Sequence, residues 1–167
     1  MYEIETPMGI FQVDATDDGI CSLRFPGQLR RSVESREGDG GLFYQQAKNW
    51  LNAYFEGKPL PPKPRIDLSW CTDFGRAVYR ALVQVPAGNV ITYGDLANEV
   101  GRPGGARAVG SWMRKNRVPI FIPCHRVVQQ NGSLGGWSGP DGMKAWLLDH
   151  EGRRKSGIQD LGSIFSR

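Results

Sequence analysis

The sequence predicts an α/β fold in two parts: an N-terminal subdomain with a small antiparallel sheet, then a mainly helical subdomain containing a helix-turn-helix. Three observations predict it. Short alternating apolar runs separated by turn residues open the chain. A segment with four prolines, residues 58–64, interrupts it after a first helical pattern. Two short helical patterns joined by "RPGG" follow.

The elements run in order. Residues 2–6, 9–15 and 21–25 read as strands, with "TPMG" and "TDDG" as the turns between them. "RRSVESREGDGG" is polar and glycine-rich and reads as a surface loop. In "LFYQQAKNWLNAYFEG", Leu42, Phe43, Ala47, Trp50, Leu51, Tyr54 and Phe55 recur at helical spacing, and Gly57 closes the helix. "KPLPPKPRI" cannot be helical and reads as a stiff extended linker, placing a boundary at 64/65. Thr72 or Asp73 caps the next helix, which carries Phe74, Val78, Leu82 and Val85 on one face. "VPAGNVITYG" reads as a turn, and "TYGDLANEVG" as a short helix from Thr92 to Gly101. "ARAVGSWMRKN" is the second helix of the pair. "VPIFIP" reads as a brief strand leading to Cys124. "PDGMKAWLLDHEG" is a last helix stopped at Gly152, followed by a loosely held, partly basic tail.

Composition narrows the class. The 167 residues suffice for a core without staples, with 40% hydrophobic and 23% charged residues. The N-terminus lacks a basic start followed by an apolar run, so no secretory signal is expected. No apolar stretch approaches the roughly 20 residues of a membrane span. Three widely spaced cysteines form no disulfide framework and point to a reducing, intracellular compartment. With no CxxC pair and two histidines, no metal site is expected. Residues 1–71 hold 8 Lys and Arg against 10 Asp and Glu, whereas residues 72–167 hold 13 against 7. A polyanionic partner for the C-terminal part and a plain solvated basic surface both stay open on charge alone.

The chemistry concentrates after residue 90. Arg107 and Arg114 lie two helical turns apart on the second helix, with Lys115 and Arg117 beyond. In a DNA-binding helix-turn-helix such cations meet phosphates, though on this pattern alone they serve equally as the wet side of a short helix. Trp112 and Met113, set among them, read as core. Cys124 adjoins His125. A free thiol with a pKa of about 8.5 needs a base or positive potential to become a nucleophile. Neighbours on an extended segment point to opposite faces, so His125 reaches the thiol only through a water or a bent backbone. Glu151 is placed to orient the imidazole. An inert buried cysteine stays open as the alternative. The loop "GSLGGWSG" permits close backbone approach to a flat ligand on which Trp137 stacks; alone, it reads rather as a hairpin turn with a core Trp.

Together "FGRAVYRALVQVPAGNVITYGDLA", "GGARAVGSWMRKN", "IPCHRVV", "GGWSG" and "KAWLLDHEG" resemble the O6-alkylguanine-DNA alkyltransferases in order and spacing, with a looser N-terminal match through "TPMGIFQV" and "WLNAYFEGK". The resemblance implies a winged-helix-like C-terminal domain over residues 65–167, binding DNA and accepting the alkyl group. Residues 1–64 are then the N-terminal subdomain, linker 58–64 included.

The resemblance also implies roles. Cys124 accepts the alkyl group, His125 deprotonates it through water, and Glu151 holds His125. Tyr93 assists departure of the guanine. Arg107 enters the duplex where the base has left, with Arg114, Lys115 and Arg117 on the DNA side. Asn116 is the hinge after the recognition helix. The base pocket draws on Pro119, the carbonyls of Cys124 and Val127, Trp137, and the Ser138 N–H. The implied activity is one irreversible transfer per molecule from O6-alkylguanine in double-stranded DNA, with O4-methylthymine as a second candidate substrate and base flipping as the means. It implies no cofactor, no metal, no membrane, a monomer, and an intracellular location at the nucleoid or nucleus. Two departures stand out. Arg117 occupies the proline position of the hinge motif, and Trp137 stands where Tyr is common. They keep one alternative in play, a damage sensor that binds lesions without transfer.

Overall fold

The computed structural model describes residues 1–28 and 41–156. The expected polar loop and most of the basic tail lie outside the described residues. The chain divides into two compact units, Met1–Trp70 and Cys71–Arg167.

In the first unit, β1 (Tyr2–Thr6), β2 (Gly9–Thr16) and β3 (Gly19–Arg24) form an antiparallel sheet in the order β1-β2-β3. Ile4 pairs with Phe11 and Val13 with Leu23, so the alternating apolar residues share one buried face. Helix α1 (Gly41–Phe55) covers this face with Ala47, Trp50, Leu51, Tyr54 and Phe55. Phe11 packs against Phe25 and Phe55 at ring separations of 5.6 and 5.4 Å. Leu42, at the helix start, is exposed. The unit ends a few residues later than the 64/65 boundary the prolines suggest, because residues 65–67 are tied to β3. The Ile20 N–H donates to the Arg65 carbonyl at 2.8 Å, and the Asp67 N–H to the Ile20 carbonyl at 2.9 Å. Gly19 permits this approach: it has φ +143°, and a Cβ there would stand 2.5 Å from the Arg65 oxygen.

In the second unit, α2 (Asp73–Leu82) starts at Thr72, whose hydroxyl accepts from the Gly75 N–H at 3.2 Å. Helix α3 (Tyr93–Glu99) starts the same way at Thr92, which accepts from the Asp95 N–H at 3.0 Å. Gly101 turns the chain at φ +71° into the second helix of the pair, α4 (Ala106–Lys115). Helices α2 and α4 meet where Trp112 lies over Gly75; a Cβ at Gly75 would come within 2.6 Å of the indole. The Tyr79 hydroxyl donates to the Trp112 carbonyl at 2.7 Å, locking the pair. Met113 is buried and Trp112 half-buried, as expected of core residues.

Three expectations need correction. "VITYG" is not merely a turn: β4 (Ile91–Thr92) pairs in parallel with β5 (Val127–Val128). "VPIFIP" is not a strand. Pro119 and Pro123 remove N–H donors a ladder would need, and the chain folds on itself, with Ile120 at φ +70° and the Ile122 N–H bonded to the Val118 carbonyl at 3.0 Å. Cys124–Arg126 then forms a single 3-10 turn. The last helix, α5 (Met143–Ser156), runs through Gly152 rather than stopping there. An interior Gly costs a helix about 1 kcal/mol, which the buried Leu147, His150 and Glu151 on the same helix outweigh.

Candidate active site

The folded-back segment 118–122 exists because Asn116 satisfies it. Its amide nitrogen donates to the Ile122 carbonyl at 2.9 Å, and its oxygen accepts from the Val118 N–H at 3.0 Å. Asn116 caps α4, so it joins the second helix of the pair directly to the turn bearing Cys124. Pro119 is buried within this segment.

The 3-10 turn aims its three side chains inward, and all are buried. His125 Nε2 lies 2.7 Å from Glu151 Oε1. Arg126 grips the same carboxylate through Nε to Oε2 at 2.9 Å and Nη2 to Oε1 at 2.8 Å, and donates from Nη1 to the Val85 carbonyl at 2.6 Å. Burial alone would raise the Glu151 carboxyl; the bonds from His125 and Arg126 outweigh it and hold it well below the usual carboxylate range. Burial pushes the His125 imidazole down despite Glu151, so the ring is neutral at pH 7. An ionised carboxylate accepts only, so Nε2 carries the ring hydrogen and Nδ1 presents a lone pair. Nδ1 is buried and has no hydrogen-bond partner among the described residues. The arrangement supplies a buried neutral base, oriented by a carboxylate whose charge Arg126 compensates.

Cys124 is buried beside it. Burial raises its thiol; hydrogen bonds from Trp137 and Asn116 and the charge of Lys144 act against that rise. The Trp137 indole N–H donates to Sγ at 3.1 Å. Tyr93, at the start of α3, reaches the Gly136 carbonyl at 3.5 Å, and its ring lies against Gly110 of α4. Burial and the neighbouring thiol raise the Tyr93 phenol, so it remains a proton donor. Ser138 stands exposed beside Trp137. Arg107, Arg114, Lys115 and Arg117 are all exposed, with Arg114 near enough to Tyr93 to act on its hydroxyl. Lys115 sits 5.0 Å over the Trp112 ring.

Two further residues are built into the site. Arg126 compensates Glu151, as described. Buried Lys144 donates to the carbonyls of Val127 and Leu134 at 2.7 and 2.5 Å, joining β5 to the glycine loop. The Val127 carbonyl is thus already an acceptor. Both residues carried a signal in the sequence. Lys144 lies two helical turns before Glu151 on the same helix, and Arg126 directly follows the Cys-His pair.

Fold and site define a protein with a cysteine centre built onto a helix-turn-helix unit. Residues 73–153 match the DNA-binding domain of 6-O-methylguanine DNA methyltransferase, and residues 2–68 match its ribonuclease-like domain. The chain is 36% identical to the methylated-DNA–protein-cysteine methyltransferase of Cricetulus griseus, over 97% of this chain and 87% of that protein. It is 34% identical to the Homo sapiens protein of the same name, over 90% and 79%. The OGT of Mycobacterium tuberculosis, solved in complex with DNA, superposes with a TM-score of 0.78 at 35% identity, over 92% of each chain. The chain belongs to the 6-O-methylguanine DNA methyltransferase family.

Proposed function

We propose that this protein repairs alkylated duplex DNA by moving the alkyl group from O6 of guanine to Cys124, once per molecule, acting as a monomer. The single observation that carries the reading is the buried His125, held by Glu151 next to Cys124, whose Nδ1 has no partner among the described residues. In the step, Nδ1 takes the thiol proton through a bridging water. The sulfur attacks the alkyl carbon, an S–C bond forms as the C–O6 bond breaks, and the electron pair goes to the guanine ring. That ring is neutralised by a proton, with Tyr93 as the donor beside it. The balance is thiol plus O6-alkylguanine giving thioether plus guanine. A thioether is a poor alkyl donor, so the sulfur is spent.

The base must leave the duplex to reach a buried sulfur. Arg107 fills the space it vacates, while Arg114, Lys115 and Arg117 meet phosphates. Asn116 hinges the recognition helix to the acceptor turn. The carbonyls of Cys124 and Val127 read the guanine amino group, the Ser138 N–H meets O6, and Pro119 and Trp137 wall the pocket. O4-methylthymine is a second substrate of the same chemistry.

The test is a titration with duplex DNA carrying a labelled methyl on O6 of guanine. One label per protein molecule is expected, and none on Cys124→Ala. Lesion binding without label transfer identifies a damage sensor and overturns the proposal. Arg107→Ala should slow reaction with duplex more than with the free base analogue O6-benzylguanine; equal losses would remove the role given to Arg107.

A further inference from the structure

The acceptor sulfur is covered. The Trp137 indole N–H lies 3.1 Å from Sγ, so the ring occupies space beside the atom that must attack. The covering ring has a dedicated seat. A Cβ on Gly139 would lie 2.2 and 2.3 Å from Cζ3 and Cη2 of Trp137, so the indole rests where residue 139 has no side chain. The loop leading to it is fixed at one point and then glycine-rich. Its stem is fixed by the Lys144 bond to the Leu134 carbonyl at 2.5 Å. Beyond that come Gly135 at φ +69° and Gly136, where a Cβ would meet nothing within 4 Å.

From this geometry we propose that Trp137 is a gate. In the DNA-free protein its indole closes on Cys124, seated on Gly139, and an entering base takes its place. The gate acts in two ways. It excludes solutes from the sulfur by bulk. Its N–H is a donor only, so it favours the thiolate over the thiol. Once the sulfur is alkylated it becomes a weak acceptor, and the hold on the indole lapses. The inference concerns the pocket of the proposed alkyl transfer, yet its test needs no DNA and stands or falls separately.

The test is the rate at which iodoacetamide modifies Cys124 in DNA-free protein across pH, followed on the Cys124 peptide so that Cys21 and Cys71 do not contribute. In this reaction an S–C bond forms, iodide leaves, and the thiol proton passes to solvent. Trp137→Ala removes the gate, and Gly139→Ala evicts it while keeping the indole. Both should raise the limiting high-pH rate several-fold. Trp137→Phe keeps a ring but loses the N–H, and should move the midpoint up by about one pH unit, the scale of one hydrogen bond to a charged group. The ionisable groups that act on the sulfur, Tyr79, Tyr93 and Lys144, and the adjoining His125 are untouched in all three variants. A wild-type limiting rate in both alanine variants overturns the gate. An unmoved midpoint in Trp137→Phe overturns the N–H contribution. Circular dichroism of each variant establishes that the fold persists; should Gly139→Ala fail to fold, the two Trp137 variants still decide.

Discussion

The two walls of the site are built by opposite means. Residues 121–128, which carry Cys124, His125 and Arg126, are buried without exception, whereas residues 131–134 of the facing loop are all exposed. The acceptor wall is fixed by charge-assisted bonds to Glu151 and by the Asn116 clamp. The loop wall is fixed at its stem by Lys144 and then passes through glycines. Buried charges stay in place only if every partner stays, which suits a group that must hold a proton acceptor in register. A glycine loop can be displaced at little cost, which suits the proposed entry of a flat base.

This contrast breaks most severely at Glu151. Glu151→Ala leaves Arg126 buried without its carboxylate, and should cost about 3–5 kcal/mol, read as a large drop in the urea midpoint. Lowering pH should weaken the same wall. His125 is neutral when folded because burial lowers its pKa below the ordinary 6.5, so the unfolded chain binds the extra proton. Its contribution is therefore full above about pH 6.5 and is lost as pH falls below it. Glu151, held down from its ordinary 4.5, adds a loss in the same direction below that value. Denaturant melts from pH 7.5 to 4 should show stability falling steadily, and His125→Gln should flatten the upper part of the curve. Asn116→Ala orphans the Val118 N–H and leaves the Ile122 carbonyl with the Cys124 N–H as its remaining donor, at about 1–3 kcal/mol by thermal unfolding. On the loop, Gly136→Ala should change stability by less than about 0.5 kcal/mol, because a Cβ there meets nothing. A loss comparable to that of Asn116→Ala would mean the two walls are not different in kind.

The sequence was most legible where local chemistry decides structure. Thr72 and Thr92 announce helix starts by their side chains, and Gly57 and Gly101 mark ends through positive φ. The cationic second helix and the His125–Glu151 pairing were also readable, the latter from the position of Glu151 on the last helix as well as from the family resemblance. What escaped depends on distant partners. "VPIFIP" has the apolar content of a strand, but its shape is set by prolines and by the Asn116 side chain. The parallel pairing of Ile91–Thr92 with Val127–Val128 joins residues far apart in the chain and leaves no local signature. Arg126 and Lys144 are marked in the sequence by position, beside Cys124–His125 and two helical turns before Glu151, but the carboxylate and carbonyls that hold them are brought there only by folding. The contact of Trp137 with the sulfur is of the same kind: the residue was visible, its hydrogen bond was not.

The central claim is that Cys124 is the terminal acceptor of the alkyl group. Peptide-mapped mass spectrometry after incubation with duplex DNA containing one O6-methylguanine tests it most directly. A single added methyl group is expected on the peptide carrying Cys124, with unmodified guanine left in the DNA. An unchanged protein mass, or a methyl group found on Cys21 or Cys71 instead, would contradict it.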